Sequence, residues 1–387
     1  MRPRTTLSAS ILRSAESPEI LLSKLISTTS QPICLGSHEV ECPVVLAPMA
    51  GVTDRPFRIL CKRLGADLAV SEMITSNAAL YASRKTLTRM DHQGEVEPVI
   101  VQIAGGDVDM MVEAARLNEA RGADVIDINM GCPAKKVCNK AAGSALLSDE
   151  DLVARILHAV VSSVSIPVTL KIRTGPDRGN KNGVKLARIA EQCGVAMLSV
   201  HGRTRADKFL GEAEYETIAK IVQSVDMPVL ANGDITCPED AVHVLKQTNA
   251  AGVMIGRAAQ GNPWIFREVK HFFSTGEHAA PPDDAEKAGV LKWHLENLYD
   301  LYGEYSGVRI ARKHISWYCK GKPQAAAFRQ RVYRVETAAE QLAQVENFFL
   351  GGADQSLSDA AENLPASSYA PWQVHRADTA STARLVS

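Results

Sequence analysis

The chain has 387 residues, 45 % of them hydrophobic and 22 % charged, with 43 basic against 44 acidic side chains. This is the balance of an ordinary globular protein, and it excludes a fully disordered chain, a collagen-like fibre and a disulfide-dense miniprotein. No apolar run approaches the roughly 18 to 20 residues that span a bilayer. A net charge of −1 leaves any nucleic-acid footprint to be found locally.

Residues 1–40 are rich in Ser, Thr and Arg and read as a poorly ordered extension. Their opening, MRPRTTLSASILRSA, has the composition of an organelle transit peptide, but Glu16 and Glu19 break the acid-poor pattern, so a cytoplasmic location is expected. The eight cysteines contain no C-x-x-C pair and are read as reduced thiols with no metal site among them.

From residue 41 to about 280 short aliphatic runs alternate with amphipathic helical patterns. The runs are VVLAPM (44–49), DLAVSEM (67–73), PVIVQI (98–103), DVIDINM (124–130), PVTLKIR (167–173), AMLSVHG (196–202), PVLANG (228–233) and GVMIG (252–256). Each has the length and branching of a buried parallel strand. Between them Leu186, Ile189, Ala190 and Cys193 share a helical face, and Asp107, Ser148 and Pro238 stand where helices start. Eight such units predict a (β/α)8 TIM barrel. No G-x-G-x-x-G follows the first run, which disfavours an open dinucleotide-binding sheet. Residues 285–350 read as helices alone, a small all-helical C-terminal domain, and residues 351–387 as a disordered tail.

A barrel carries its active site at the C-terminal ends of its strands. The runs end there in Met49, Glu72, Gln102, Asn129, Lys171 with Arg173, His201 with Arg203, Asn232 with Asp234, and Gly256 with Arg257. Asn232-Gly233-Asp234 and Gly256-Arg257 close the last two strands, where barrels bind phosphate on backbone N–H groups. Lys171 interrupts an apolar strand. It is either a snorkelling surface lysine or a cation facing an electron-rich ring. Cys132 lies between Gly131 and Pro133, with Lys135 and Lys136 beyond. It is either a small core hydrophobe or a presented, chemically active sulfur. His201, followed by Gly202, Arg203, Thr204 and Arg205, is either structural or a polar edge for a substrate or cofactor.

Taken in order, APMAGVTDRPFR, VQIAG, NMGCPAKKV, LKIRTG, HGRTRADKFLGEAEY, NGDI and GRAAQGNPWIF resemble the tRNA-dihydrouridine synthases, most of all the bacterial B-type enzymes, over residues 40 to 348. The resemblance implies an FMN-containing barrel with a helical tRNA-binding domain that reduces the C5–C6 bond of particular uridines, with NADPH as electron donor and U17 as the suggested position. It implies FMN contacts from Pro48, Met49, Ala50, Gln102 and Lys171. FMN phosphate contacts would come from Asn232, Gly233, Asp234, Gly256 and Arg257. His201 would lie beside the flavin and Asn129 near flavin and uracil, and Cys132 matches the catalytic cysteine.

Residues 309–334 carry eight Lys or Arg and no Asp or Glu, with Trp317, Tyr318, Phe328 and Tyr333 interleaved. Such a stripe suits a phosphate backbone, and the aromatics also suit a helical core. Arg203, Arg205, Arg309, Arg312 and Lys313 are the expected tRNA-binding residues, and a monomer is expected. Two rival readings are an FMN barrel oxidoreductase acting on free pyrimidines and a catalytically inactive RNA-binding protein.

Overall fold

The computed structural model describes residues 32–81, 83–138 and 142–351. A two-stranded antiparallel hairpin comes first, β1 (Ile33–Leu35) and β2 (His38–Val40). The strands that follow are β3 (Val44–Leu46), β4 (Leu68–Ala69), β5 (Ile74–Thr75), β6 (Ile100–Ala104), β7 (Val125–Met130), β8 (Val168–Arg173), β9 (Met197–His201), β10 (Val229–Asn232) and β11 (Gly252–Ile255). All their pairings are parallel, in the order β4-β3-β11-β10-β9-β8-β7-β6-β5. A bridge from Val70, just past β4, to Ile100 of β6 closes that order into a ring. This is the expected eight-position barrel, with its second position split between β4 and β5.

The split corrects the reading of 67–73 as one strand. Ser71 Oγ accepts the Gln102 N–H at 3.0 Å, a bond that a strand carbonyl would otherwise take. The strand pairing is interrupted over residues 71–73, and Glu72 accepts from Gly51 N and, at 2.9 Å, from Arg89.

The hairpin corrects the expectation of disorder as far as residue 40. Ile33 and Leu35 are each 1 % exposed and pack with Val45, Leu68, Ile100, Val125, Met197, Leu230 and Met254. They plug the end of the barrel opposite the active-site rim. Removing two such side chains from water is worth roughly 2 kcal/mol each, which explains why the chain orders here. Residues 1–31 and 352–387, with the expectations made for them, lie outside the described residues.

Around the barrel run α1 (Arg55–Arg63), α2 (Arg84–Arg89), α3 (Val108–Ala120), α4 (Lys135–Cys138), α5 (Glu150–Val161), α6 (Gly183–Gln192), α7 (Glu216–Val222), α8 (Pro238–Thr248) and α9 (Ile265–Thr275). Asp54 and Asp107 cap α1 and α3 with their carboxylates, and Pro238 opens α8. The expected start at Ser148 moves one residue: Asp149 accepts the Leu152 N–H at 3.0 Å, because Ser148 already ends a short 3-10 turn.

The C-terminal helices are α10 (Asp284–Tyr302), α11 (Glu304–Tyr318), α12 (Ala325–Val332) and α13 (Ala338–Leu350). Their buried residues belong to the same apolar cluster as the outer layer of the barrel. Phe57 of α1 meets His294 and His314 at ring-centroid distances of 5.5 and 5.9 Å. Among the described residues no helix is long and apolar enough to cross a membrane.

Candidate active site

A cavity of about 1180 Å³ opens at the C-terminal ends of the strands. Cys132 and all twelve residues assigned to FMN line it: Pro48, Met49, Ala50, Gln102, Asn129, Lys171, His201, Asn232, Gly233, Asp234, Gly256 and Arg257. Parallel register explains the convergence. Asn129 pairs with Lys171, and His201 pairs with both Arg173 and Asn232, so polar residues of neighbouring strands sit at one height.

One wall is a chain of buried hydrogen bonds. Asp127 accepts from Thr169 Oγ1 and from Gln102 Nε2, both at 2.7 Å. Gln102 Oε1 accepts from Asn129 Nδ2 at 2.8 Å, and Asn129 Oδ1 accepts the Cys132 N–H at 3.0 Å. The amide orientations of Gln102 and Asn129 follow from this one consistent network. Asp127 escaped the sequence reading. Its signal was a carboxylate in the middle of a fully buried strand, which demands buried donors.

The Cys132 loop is pinned at its backbone. Arg173 Nε donates to Gly131 O at 2.7 Å, and Ser144 donates to Cys132 O through both N (3.0 Å) and Oγ (2.9 Å). Gly143, at φ +62°, makes that approach possible: a Cβ there would lie 2.8 Å from Cys132 O. Burial pushes the Cys132 thiol up, and the Ala134 N–H with the Arg173 and Lys171 charges offsets this only in part. The sulfur is therefore a protonated thiol at neutral pH. The side chains of Lys135 and Lys136 lie outside those described.

Lys171 reaches the cavity from β8 with its ammonium on Asn232 Oδ1 at 3.0 Å, and Asn232 donates onward to Met254 O at 2.7 Å. Burial, and then the nearby Arg173, push the Lys171 pKa down to about 8. His201 is pushed down to about 2 by burial and the surrounding Lys171, Arg173, Arg203 and Arg257. It is a neutral imidazole. Arg203 can only donate and faces its Nε2 at 3.3 Å, so the proton sits on Nδ1.

Opposite, Asp234 joins Arg203 (2.6 Å) to Arg257 (2.9 Å). Gly233 has φ +134°, and a Cβ on it would press within 2.7 Å of Ala213 and 3.2 Å of the His201 ring. A buried cation with one neutral partner, side-chain-free backbone at Gly233 and Gly256, and a 1180 Å³ space together fit a phosphorylated aromatic cofactor with room for a base beside it.

The residues expected to bind tRNA scatter. Arg203 is 3 % exposed and lies beneath the rim on Asp234. Arg205 donates its backbone N–H to Gly175 O at 2.9 Å. On α11, Arg309 stacks on Tyr305 and reaches Glu336 at 3.4 Å, and Arg312 donates to Val335 O at 3.0 Å. Lys313 is turned to the carbonyl of Gly51 at the mouth. Phe209, which carried no expected role, and Lys320, counted only in the basic stripe of 309–334, also line the cavity.

These features describe an α/β barrel whose mouth fits an anionic cofactor beside a presented thiol. The pattern of the family described as Dihydrouridine synthase (Dus) matches residues 45–352. The chain is 57 % identical over 330 residues to tRNA-dihydrouridine synthase B of Xanthomonas axonopodis pv. citri, which covers 84 % of this chain and 99 % of that protein. It is 58 % identical over 315 residues to the enzyme of that name from Pseudomonas putida, covering 81 % and 94 %. Among solved structures it is similar to a histamine dehydrogenase from Rhizobium sp. 4-9 (TM-score 0.48, 10 % identity, 71 % of this chain and 51 % of that one). The chain belongs to the dihydrouridine synthase family.

Proposed function

We propose that the chain reduces the C5–C6 double bond of uridine in tRNA to dihydrouridine, using FMN in the barrel mouth and NADPH as electron source, at position 17. The observation that carries this reading is the convergence of the Cys132 thiol, the Lys171 cation and the Gly233 and Gly256 backbone on one cavity. FMN held there by Lys171, Asn232–Asp234, Gly256 and Arg257 would supply the hydride equivalent that saturates the bond.

The chain's own residues supply the proton. Saturation of an enone-like C5–C6 bond takes one hydride and one proton, and the charge left after hydride addition is spread over C5 and O4 of the base. Cys132, kept protonated by burial and held on a pinned loop, suits donation to C5 as a general acid. Neutral His201 and the side-chain amide of Asn129 offer hydrogen bonds without a titration of their own near pH 7. Lys171, cationic below about pH 8, stabilises negative charge in the mouth. A target base stacked in folded RNA must be turned out to reach this depth.

The test is direct. Purified, flavin-loaded chain is incubated with tRNA and NADPH, and nucleosides are mapped by mass spectrometry. New dihydrouridine at position 17 supports the reading. Its absence from all positions, with turnover of free uracil or dihydroorotate, favours an oxidoreductase of free pyrimidines.

A further inference from the structure

Between β9 and α7 the chain makes a loop whose tip displays two consecutive large apolar side chains, Phe209 (56 % exposed) and Leu210 (74 % exposed). The loop is not loose. Two buried guanidiniums hold its backbone from below. Arg173 donates to Thr204 O at 3.0 Å and Lys208 O at 2.7 Å, and Arg203 donates to Leu210 O at 3.2 Å and Gly211 O at 2.6 Å. Thr204 Oγ1 on Asp207 at 2.7 Å and the turn from Leu210 N to Asp207 O at 2.8 Å complete the frame. A scaffold this rigid under an exposed aromatic ring holds that ring ready for something.

Phe209 lines the catalytic cavity, and its ring has the guanidiniums of Arg173 and Arg257 at 5.4 and 5.5 Å. Lys208, Arg257 and Lys320 bring positive charge to the same mouth. An apolar π-face bordered by cations matches an unpaired nucleobase carried on a phosphate chain. A lipid surface would instead need a broad apolar patch.

We propose that Phe209 is a stacking platform for the base next to the uridine that enters the cavity, and so a substrate-positioning residue of the RNA. The inference rests on the reading of the chain as a tRNA uridine reductase. When the target nucleotide turns out of the stack, its neighbour loses a partner. Phe209 takes that place and holds the strand in register over the mouth. Lys208 and Lys320, which line the same mouth, then face the adjoining phosphates.

Flavin-loaded parent protein is compared with Phe209→Ala, Phe209→Leu and Phe209→Trp. The readouts are bound flavin, tRNA affinity, KM for tRNA and for NADPH, and tRNA-dependent change in tryptophan fluorescence. Ala and Leu are expected to weaken tRNA binding and raise KM for tRNA roughly tenfold. Trp is expected to restore both, with its added emission quenched by tRNA, while flavin content stays equal throughout. Leu binding tRNA as well as the parent overturns the proposal, since an apolar side chain without a π-face then suffices. Loss of flavin in the Ala variant overturns it by making Phe209 a wall of the cofactor site. A rise in KM for NADPH in place of tRNA overturns it by assigning the ring to the dinucleotide. If the parent itself forms no dihydrouridine, the functional reading falls too; if the parent is active and only the Leu result fails, that reading stands.

Discussion

The barrel rim and the basic stripe of α11 and α12 were both marked in the sequence by clustered polar residues, and folding treats them differently. At the rim, thirteen residues from seven strands reach one cavity. Along the stripe the marked cations turn to intramolecular partners: Arg309 to Tyr305 and Glu336, Arg312 to Val335 O, Lys313 to Gly51 O, Lys322 to Asp284. Strand alternation and parallel register leave a strand-end residue little choice of direction. A long basic side chain on a helix takes whichever acceptor comes within reach.

The largest expected effect tests the rim. Cys132→Ala should cost about 10²–10⁴-fold in dihydrouridine formation, measured by single-turnover mass spectrometry, with flavin content kept. Parental rates in this variant would remove the thiol from the chemistry.

Next comes the network behind the thiol. Asp127→Ala leaves Gln102 Nε2 and Thr169 Oγ1 buried without their acceptor. At roughly 1–3 kcal/mol for each orphaned group, urea unfolding should show a loss of about 3 kcal/mol. A change below half of that would mean the rim is less rigidly satisfied than its geometry indicates.

The helical core supplies the counterpart. His294 and His314 are fully buried, 4.5 Å apart by ring centroid, and among the described residues none of their four nitrogens has a partner. Burial pushes His294 down to about 3 and His314 well below the usual range. The folded state binds these protons less well than the unfolded chain, so stability is full above about pH 6.5 and falls as pH drops below it. The slope should approach about 1.4 kcal/mol per pH unit for each histidine. Denaturation midpoints between pH 7 and 5 measure it, and a His314→Phe variant should flatten the curve.

Lys171 gives a gentler, opposite dependence. Its pKa near 8 means the ammonium is present below that pH and lost above it. FMN affinity should be level from pH 6 to about 8 and then fall by at most tenfold per pH unit, whereas Lys171→Met should be weak and level throughout. Fluorescence titration of apoprotein with FMN decides this.

The smallest effects belong to the stripe. Arg331 and Arg334 are exposed, in contrast to half-buried Arg312 and Lys313. Reversing Arg331 and Arg334 should lower the salt slope of tRNA binding by about one unit for each phosphate no longer neutralised. Reversing Arg309 should change it less, because that side chain is engaged with Tyr305 and Glu336. Equal slopes would erase the contrast between the two ends of the stripe.

The sequence by itself determined the barrel, the helical C-terminal segment and the residue types at the rim, because aliphatic period and strand-end polarity are local properties of the chain. It did not determine that Ile33 and Leu35 plug the barrel floor, that Ser71 breaks the second strand, or that Asp127 anchors the Cys132 loop through Gln102 and Asn129. Nor did it separate the cations that face solvent from Lys313, which reaches back to Gly51, or single out Phe209 on its pinned loop. These features depend on groups that meet across as many as 262 residues of chain, as Lys313 and Gly51 do. Only closure of the ring and docking of the helices brings such donors and acceptors within hydrogen-bond reach of one another.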